Sequence, residues 1–564
     1  YLTTAAMLPS LAEFMLGNSS APTSGSNSTY DKCAWDSGPA YIDYRYVHEC
    51  MFDGKWEATL LLFIIWMVFL FYVLISTTTK YFCPALSRMS ERLRLSNHII
   101  GVTFVAIGNG APDLFTTFAT VRFNEFDIAF GGLLGAAIFS VTMLVAVTVL
   151  ASKGNDPSIA RRPFFRDLVF FLLSLGAVVY IFSNKKVEVW EGAMLVCLWV
   201  LYIIFVLVAR VIYQMRQRAR RKEFGILDGE DEELLNTVDA GAAGDTLLFE
   251  DILYFTNKRE SKQDPFLRNS ELAFQQEDDT MWSRFKRYVQ RNVSRLGWHS
   301  KTTRERVIFV LQSPLTFLRS VTIPPVQEST WNKLLAVVCM VGGPTFLLFA
   351  TKTIALGFTI KSTGGFFPIV SIAILLGIIL AIVVAQTTQE TEPPKFFVVI
   401  VIYGFIISAS WMYLSCLEIV YMLKEVCEIM HWSKSIIGLL ILAWGNAASD
   451  LVANIVLARR GFGSIAIAAS YAAPTFNILL GLGLGFSFRA VTDRGSIPVT
   501  IDNNTLVALV FLGVIVLLTL IIVPLSKWKI RLPFALSIVI IYIVFMIVCV
   551  LTELDVIFKK PIWT

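Results

Sequence analysis

A short motif that could bind a metal cation occurs twice in the sequence. Gly-Asn-Gly-Ala-Pro-Asp-Leu ends at Leu114, and Gly-Asn-Ala-Ala-Ser-Asp-Leu ends at Leu451. The segments around these motifs, 101–139 and 438–476, align without a gap at an offset of 337, and 12 of their 39 positions are identical. Two unrelated apolar helices share alanine and leucine by chance, but not this combination of Gly, Asn and Asp. We therefore interpret the two segments as copies of one repeat.

Each copy carries one aspartate, Asp113 or Asp450, within a mostly apolar stretch. A carboxylate in a membrane span costs about 2.5–3.5 kcal/mol, so such residues normally face a bundle interior or a water-filled cavity. Glycine and proline near the aspartates weaken the helix and free backbone carbonyl groups, and Asn109 and Asn446 add amide oxygens. The polar residues one helical turn beyond the aspartates are Thr116, Thr117 and Asn454.

This oxygen-rich set suits Ca²⁺, which takes about 6–8 oxygen ligands in flexible geometry. No soft ligand accompanies it, which disfavours copper and thiolate-bound zinc. The four histidines and eight cysteines lack the spacing of a zinc or iron–sulfur site. Phosphate-binding loops and nucleophile–base patterns are also absent from the sequence, which argues against an enzyme. Three other glutamates lie near predicted span ends, where water should solvate them: Glu191, Glu418 and Glu553.

The composition is typical of a membrane protein, with 55% hydrophobic residues, 16% charged residues and a mean hydropathy of +0.64. Because about 20 apolar residues cross a bilayer as a helix, the sequence predicts an all-α polytopic protein with about twelve transmembrane helices. The predicted spans are 58–77, 97–120, 127–151, 167–183, 187–213, 332–354, 367–386, 396–422, 433–457, 463–487, 505–525 and 532–553.

Basic residues at the span ends predict the orientation. They cluster on one side, at 80–94, 153–166, 216–222, 459–460 and 527–531, so the polar stretch 214–331 should be a cytosolic or matrix loop, with both termini on the other side. On that other side, Cys33 and Cys50 are candidates for a disulfide. The predicted organisation is an N-terminal non-cytoplasmic segment (1–57), a first transmembrane half (58–213), the loop (214–331), two extra helices (332–386) and a second half (387–564).

The span count determines how the two repeat copies relate. The first copy lies on the second and third predicted spans, and the second copy lies on the ninth and tenth. Seven spans separate equivalent helices, and because seven is odd, these helices cross the membrane in opposite directions. This arrangement is an inverted-topology repeat, which places a substrate site near the bilayer midplane between the two halves.

The motifs GNGAPDLFTTF at 108–118 and GNAASDL at 445–451 resemble the paired α-repeats of the calcium/cation antiporter superfamily. The similarity is strongest to the cation/calcium exchanger branch, which includes the mitochondrial sodium/calcium exchanger, and it covers roughly 97–152 and 433–487. It implies a ten-helix exchanger core with alternating access, with Asp113 and Asp450 as central Ca²⁺ ligands and Asn109 and Asn446 as their partners. The resemblance also implies neighbouring polar positions at Thr116, Thr117, Ser140 and Asn477.

The sequence departs from the wider superfamily in the second helix of each copy. Gly-Ala-Ala at 135–137 and Ala-Ala-Pro at 472–474 replace the Gly-Ser-Asn of related exchangers. Several side-chain oxygens expected around monovalent-ion sites are therefore absent. The counter-ion stays open among Na⁺, Li⁺ and H⁺, because a buried aspartate can also carry a proton.

The sequence thus predicts a cation antiporter in a lipid bilayer that exchanges Ca²⁺ for Na⁺, Li⁺ or H⁺, without a cofactor or a nucleic-acid partner. The alternatives are a proton-coupled exchanger, a cation channel and a receptor-like membrane protein. The aspartates could also be structural, or form a proton relay without metal, and the glycines could serve close helix packing. Family resemblance favours the mitochondrial inner membrane, whereas the cysteine pair and the sequons at Asn18, Asn27 and Asn503 fit the plasma membrane or an endomembrane. The oligomeric state is left open.

Overall fold

The computed structural model describes residues 40–92, 106–152, 157–223, 303–326, 331–350, 369–389, 394, 396–459, 461–493, 496–499 and 502–557. Within these ranges helices form almost all of the regular structure. A short helical turn, Tyr44–Tyr46 followed by the π-helical Val47–Met51, precedes the first long helix. Cys50 in this turn is disulfide-bonded, while Cys33 lies outside the described residues.

Five long helices form the first half. The helix α1 comprises Trp56–Thr77 and Cys83–Arg92, joined by the π-helical turn Thr78–Phe82. The helix α3 comprises Phe126–Phe139 and Val145–Ala151, joined by the π-helical turn Ser140–Leu144. The other helices of this half are α2 (Ala106–Arg122), α4 (Arg161–Ser183) and α5 (Val189–Glu223).

Eight helices follow. Three of them precede the second half, namely α6 (Thr303–Thr322), α7 (Lys333–Ala350) and α8 (Ile369–Thr387). The second half begins with α9 (Phe397–Met430). The helix α10 comprises Lys434–Ile437, the π-helical Gly438–Leu442 and Ala443–Arg459. The helix α11 comprises Gly463–Phe476, the π-helical Asn477–Leu482 and Gly483–Asp493. The last two helices are α12 (Asn503–Leu525) and α13 (Leu532–Glu553).

Helices occupy all twelve predicted spans. Ten of them, α1, α3–α5, α7 and α9–α13, are long and apolar enough in the described chain to cross a membrane. The other two predicted spans hold α2, which has 17 residues, and α8, whose apolar part is Ser371–Thr387. Many large apolar side chains of these helices are exposed, as expected where lipid rather than water surrounds a protein. The chain is therefore a multi-pass membrane protein.

Contacts between turns show which helix ends share a membrane face. Strand β1 (Lys186–Val187), between α4 and α5, pairs antiparallel with β2 (Ile497–Pro498), between α11 and α12. On the opposite face, Ile159 N donates to Trp528 O over 2.8 Å, which joins the α3–α4 turn to the α12–α13 turn. We name the face on which α1 begins, and which carries β1 and β2, the N-terminal face. The opposite face, where α5 ends, is the loop face.

The two motif helices run in opposite directions. Glu125, which follows the end of α2, forms an ion pair of 2.7 Å with Lys434 at the start of α10. Thr116, earlier in α2, accepts a hydrogen bond of 2.9 Å from Asn446, later in α10. Moving backward along α2 therefore means moving forward along α10. The equivalent helices α3 and α11 also both turn π-helical at positions separated by the repeat offset of 337. These observations confirm the predicted inverted repeat.

Glycine lets α3 and α10 touch backbone to backbone. A Cβ atom on Gly131 would lie 2.4 Å from the carbonyl oxygen of Ser435, and one on Gly135 would lie 2.4 Å from that of Leu439. From the other side, a Cβ on Gly438 would lie 2.8 Å from the carbonyl oxygen of Ile128. Small residues commonly permit such close approach between transmembrane helices. This contact fixes the first repeat copy against the second beside the aspartates.

The expected solvation of the glutamates near span ends is wrong for two of the three. Glu191 is 1% exposed and accepts hydrogen bonds from Asn184 Nδ2 and Glu188 N, over 3.0 and 2.9 Å. Glu418 is 6% exposed and accepts from Tyr41 N and Tyr44 Oη, over 2.6 and 2.9 Å. Groups of the nearby chain turns donate these hydrogen bonds in place of water, which offsets the free-energy cost of burying the two carboxylates. Burial, together with the Glu418 charge, raises the pKa of Tyr44 well above its ordinary value.

The third glutamate, Glu553, is partly buried at the N-terminal face. Its carboxylate accepts from the backbone N–H and the hydroxyl of Ser433, over 2.5 and 2.6 Å, and from Asn504 Nδ2 over 2.7 Å. Ser433 is the N-cap residue of α10. Glu553 therefore anchors the start of the helix that carries the second aspartate.

Candidate cation site

The helix α2 positions Asp113 near the centre of the bundle. Pro112 lies inside this helix and has no amide hydrogen, so the carbonyl group of Gly108 loses its helical hydrogen bond. The hydroxyl of Thr116 donates back to the carbonyl oxygen of Pro112 over 2.9 Å. The local sequence thus interrupts the helical hydrogen bonding next to the carboxylate.

The second half reaches Asp113 through Asn477. The Nδ2 atom of Asn477, at the start of the π-helical turn of α11, donates to Asp113 Oδ2 over 2.5 Å. Gly110 makes this approach possible, because a Cβ atom there would lie 2.7 Å from Asn477 Oδ1 and 2.5 Å from the ring of Phe476. A glycine is therefore needed at position 110 for steric reasons.

Asn446 makes a second connection between the halves. Its Nδ2 atom donates to Thr116 Oγ1 over 2.9 Å, and its side chain lines the same cleft as the Asp113 carboxylate. The Asp450 carboxylate, on the same helix as Asn446, is close enough to Asp113 for the two charges to repel each other. The structure therefore brings the two motif aspartates together from oppositely directed helices.

Three oxygen atoms at this site are buried and have no hydrogen-bond partner among the described residues: Asp113 Oδ1, Asn446 Oδ1 and Asn477 Oδ1. Buried polar atoms are normally paired, because leaving one unpaired costs free energy. A cation placed among these oxygens would satisfy all three, and it would also offset the repulsion between the two carboxylates. Carboxylate and amide oxygens without sulfur are the ligands that Ca²⁺ and other hard cations prefer.

A narrow cleft, too tight in this structure to hold a water molecule, runs from Asp113 along α2. Its α2 lining consists of Asp113, Thr116, Thr117 and Thr120. The neighbouring helices α3 and α10 contribute Ala129, Gly132, Leu133, Leu442 and Asn446. A row of residues one helical turn apart thus provides a partly polar wall between the aspartate and the end of α2.

These features can be compared with known proteins. The sequence profile of the family described as "Sodium/calcium exchanger protein" matches residues 63–208 and 400–551, together more than half of the chain. The chain belongs to this sodium/calcium exchanger family. Both matched regions contain one copy of the repeat, so the exchanger family accounts for the aspartate motif in each half.

Relatives of this exchanger extend over nearly the whole chain. It is 28% identical over 547 residues to the "Mitochondrial sodium/calcium exchanger protein" of Mus musculus, covering 94% of this chain and 87% of the mouse protein. It is 29% identical over 537 residues to "Cation/calcium exchanger 1" of Arabidopsis thaliana, covering 93% and 87%. Among solved structures, "H+/Ca2+ Exchanger CAX" matches with a TM-score of 0.42 and 9% identity, covering 92% and 93%. A structural similarity with this TM-score identifies neither the ions that this chain transports nor its mechanism.

The other predicted site residues of this exchanger have different placements. Thr117 is buried and lines the cleft. Ser140 is buried at the start of the π-helical turn of α3, the position equivalent to Asn477. Asn454 is buried, but its Nδ2 atom donates to Ser470 Oγ over 2.9 Å, which turns it toward α11. The side chain of Asn109 lies outside the described residues.

Sequence reasoning missed Thr120 and the role of Gly110. Thr120 lines the cleft one turn beyond Thr116 and Thr117, and its position at i+7 from Asp113 was a usable signal. The need for glycine at 110 follows from contact with α11, a helix more than 350 residues away in sequence. From the motif alone, the steric need for glycine at position 110 looks the same as a glycine that only weakens the helix.

Proposed function

We propose that this protein is a secondary active transporter that exchanges Ca²⁺ for Na⁺ at the site between Asp113 and Asp450, with Li⁺ and H⁺ as alternative counter-ions. The observation that carries the proposal is the set of three unpaired buried oxygens around Asp113, beside a second carboxylate. Such a set has a strong requirement for a cation and no feature of a catalytic site. Membership of the exchanger family supports the same reading.

Seven polar side chains are proposed to act together with the aspartates. The amide oxygens of Asn446 and Asn477 would bind the ion directly, because both are buried, unpaired and adjacent to Asp113. The proposed supporting residues are Asn109, Thr116, Thr117, Ser140 and Asn454. Of these, Thr116 orients Asn446, while Asn454 orients α11 through Ser470.

The charge of the site explains why transport would be obligatory exchange. Without a bound cation, two carboxylates lie within electrostatic range of each other among apolar helices, and moving them between the two membrane faces is costly. One Ca²⁺, or monovalent cations in its place, neutralises them. The empty carrier therefore changes its accessible face slowly, and net movement of one ion requires countermovement of the other.

The names of the relatives suggest the ions. The mouse relative is named as a sodium/calcium exchanger, and the Arabidopsis relative as a cation/calcium exchanger. The positions occupied by Ala136 and Ala473 offer no side-chain oxygen for a monovalent cation. We therefore expect fewer bound Na⁺ ions than in exchangers that carry serine there, and weak discrimination between Na⁺ and Li⁺.

The proposed function is tested by reconstituting the full chain into liposomes and measuring ⁴⁵Ca²⁺ uptake under separate Na⁺, Li⁺, K⁺ and pH gradients. Uptake should depend on an outward Na⁺ or Li⁺ gradient, or on a pH gradient if H⁺ is the counter-ion, and should be absent with K⁺ alone. Ca²⁺ flux that persists without any counter-ion gradient, with a unitary conductance in bilayers, would instead establish a channel.

We place the exchanger in the mitochondrial inner membrane, with the loop face toward the matrix. The relative from mouse is named as mitochondrial, and the clusters of basic residues at the loop face fit the positive-inside rule. Immunogold labelling of the tagged full chain, with protease protection of its loop in mitoplasts, checks both statements. Labelling confined to the plasma membrane or to endomembranes would contradict this location.

A further inference from the structure

We propose that the ion pairs of Glu125 with Lys424 and Lys434 form a gate, which closes the cation path at the N-terminal face. The inference rests on the proposed function, because the gate controls access to the same site. Nothing in the repeat motif requires these residues, and all three lie outside the set that surrounds the aspartates.

The first step is the direction of the cleft. From Asp113 it follows α2 to Thr120, which lies two residues before the end of that helix at Arg122. The end of α2 lies at the N-terminal face, because the next turn contacts the start of α10. The cleft therefore leads from the aspartate toward the N-terminal face and stops within one helical turn of it.

The second step is the position of Glu125 above the end of the cleft. Its backbone N–H donates to the carbonyl oxygen of Thr120 over 2.9 Å, and its own carbonyl oxygen accepts from Ala129 N over 3.0 Å. Both of these partners line the cleft. Asn124, in the left-handed region with φ of 63°, produces the tight turn that places Glu125 there.

The third step is the charge pattern. Lys424 Nζ lies 3.0 Å from Glu125 Oε1, and Lys434 Nζ lies 2.7 Å from Glu125 Oε2. Both carboxylate oxygens are thus occupied by ammonium groups, and the Glu125 side chain is only 9% exposed. The lysines come from α9 and α10, whereas Glu125 belongs to the first repeat copy. The ion pairs therefore fasten the two halves together at the mouth of the path.

This arrangement suits a gate that responds to the transported ion. Two lysines at the mouth repel an approaching cation while the carboxylate is neutralised by them. Each lysine side chain is 37% exposed, so its ammonium group can swing into water and stay solvated. The Glu125 carboxylate that it leaves is only 9% exposed and therefore needs another cation. A cation that reaches Glu125 competes with the lysines for the same oxygens. The gate then opens only when a cation enters the path, which limits the leakage of ions through an empty carrier.

A gate and a merely structural ion pair make different predictions for the two kinds of partner. Lys424→Gln and Lys434→Gln each release one carboxylate oxygen of Glu125 at the mouth, so the apparent KM for Ca²⁺ presented at the N-terminal face should fall by on the order of tenfold. Glu125→Gln leaves both lysines without this carboxylate, so the same KM should rise by a similar factor. If the ion pairs were merely structural, the lysine variants and the glutamate variant would change the apparent KM in the same direction. The KM for Ca²⁺ presented at the loop face should not change.

A second measurement reads the gate without any transport. Thr120→Cys places a thiol at the end of the cleft, and an uncharged, membrane-impermeant maleimide is added from the N-terminal face. Labelling of this cysteine, corrected for the parent protein, should accelerate by about tenfold or more in both lysine variants and in Glu125→Gln. The matched control is Glu49→Gln, which breaks the exposed Arg45–Glu49 ion pair near the same face and should change neither measurement.

The two proposals fail in different ways. Unchanged labelling of Thr120→Cys in both lysine variants overturns the gate, and so do KM shifts of the same sign for the lysine and glutamate variants. Normal acceleration of labelling in a protein that shows no Ca²⁺ exchange overturns the proposed function instead and leaves the gate standing. If Glu125→Gln does not fold, the variants Lys424→Gln and Lys434→Gln still test the gate, because both lysines are partly exposed and tolerate substitution more readily.

Discussion

Asp113 and Asp450 occupy equivalent positions 337 residues apart, yet the two repeat copies surround them differently. Asp113 accepts a hydrogen bond of 2.5 Å from Asn477, and Asn446 lies beside it. In the second copy, the polar residue one turn beyond Asp450 donates to Ser470 instead of facing the aspartates. The opposite half therefore holds the Asp113 carboxylate through Asn477. In the second copy, Asn454 instead joins its own helix to α11.

The helices that follow the motifs also differ. Gly131 and Gly135 bring α3 into backbone contact with α10, and Gly132 leaves room for the Leu442 side chain. The equivalent positions 468, 469 and 472 of α11 are all alanine. The α3–α10 contact joins both copies, so it holds the helix of Asp450 as well as α3. Asp113 is in addition held by Asn477 and by the close approach at Gly110. We infer that Asp113, in the first copy, is the fixed carboxylate and that Asp450, in the second copy, adapts to the bound ion.

The largest expected effect comes from neutralising either aspartate. Asp113→Asn and Asp450→Asn should each lower Ca²⁺ flux in liposomes by at least about 100-fold, because each removes one of two charges that attract the cation in a medium of low dielectric constant. Expression and the thermal unfolding midpoint should stay near those of the parent protein. Retained flux in both variants would remove the basis of the proposed site.

Lengthening the same side chains sharpens the contrast. Asp113→Glu adds a methylene group where Asn477 and Gly110 already approach closely, and overpacking costs about 1–3 kcal/mol. Asp450→Glu should retain more Ca²⁺ flux than Asp113→Glu, because the second copy adapts more readily. Equal losses would argue that both aspartates are held with the same rigidity.

Much of this site was visible in the sequence because its signals are local. The paired motif identified Asp113 and Asp450, and the odd number of spans between the copies required them to meet from opposite directions. The amide of Asn477 was reached only through family resemblance, since its contact with Asp113 joins helices far apart in sequence. Asn454 shows the limit of the spacing argument, because a position one turn from an aspartate did not decide which neighbour its amide would contact.

The fold shows the same division. Hydropathy predicted twelve spans, and helices occupy all of them. Ten of these helices are long and apolar enough in the described chain to cross a membrane, since apolar length is what a bilayer requires. It could not show that Glu191 and Glu418 are buried, because their partners come from chain turns and from the segment before α1. Nor could it show the backbone contact between α3 and α10, which depends on how two helices cross. Long-range contacts, and not helix formation, are what single-sequence reasoning lacks.

The next prediction compares Asn477 with its equivalent Ser140. Removing a hydrogen bond to a charged group costs about 1.5–3 kcal/mol, so Asn477→Ala should raise the apparent KM for Ca²⁺ by roughly tenfold. Ser140→Ala should raise it by less than about threefold, because one neutral hydroxyl is worth less than a charge-assisted bond. Uptake kinetics in liposomes provide both values. A larger effect at Ser140 would reverse the assignment of the fixed and adaptable copies.

Helix packing offers a smaller effect that needs no transport assay. Gly135→Ala should destabilise the protein by about 1–3 kcal/mol, because the added Cβ overlaps the Leu439 backbone. The matched control is Gly176→Ala in α4, where nothing lies within 4 Å of the added atom. That control should leave stability unchanged or raise it by up to about 1 kcal/mol. Thermal unfolding in detergent, followed by intrinsic fluorescence, distinguishes them, and equal midpoints would contradict the close contact.

The smallest effect is expected at Asn454. Hydrogen bonds between transmembrane helices contribute about 0.6 kcal/mol on average, since the membrane-embedded unfolded state finds other partners. Asn454→Ala should therefore lower the unfolding midpoint only slightly, and Ser470→Ala should produce the same shift, because the two side chains share one bond. The double variant should be no worse than either single one. A Ca²⁺ KM that rises as much in Asn454→Ala as in Asn477→Ala would mean that this amide turns to the ion during transport, and the second copy would then contribute as many ligands as the first.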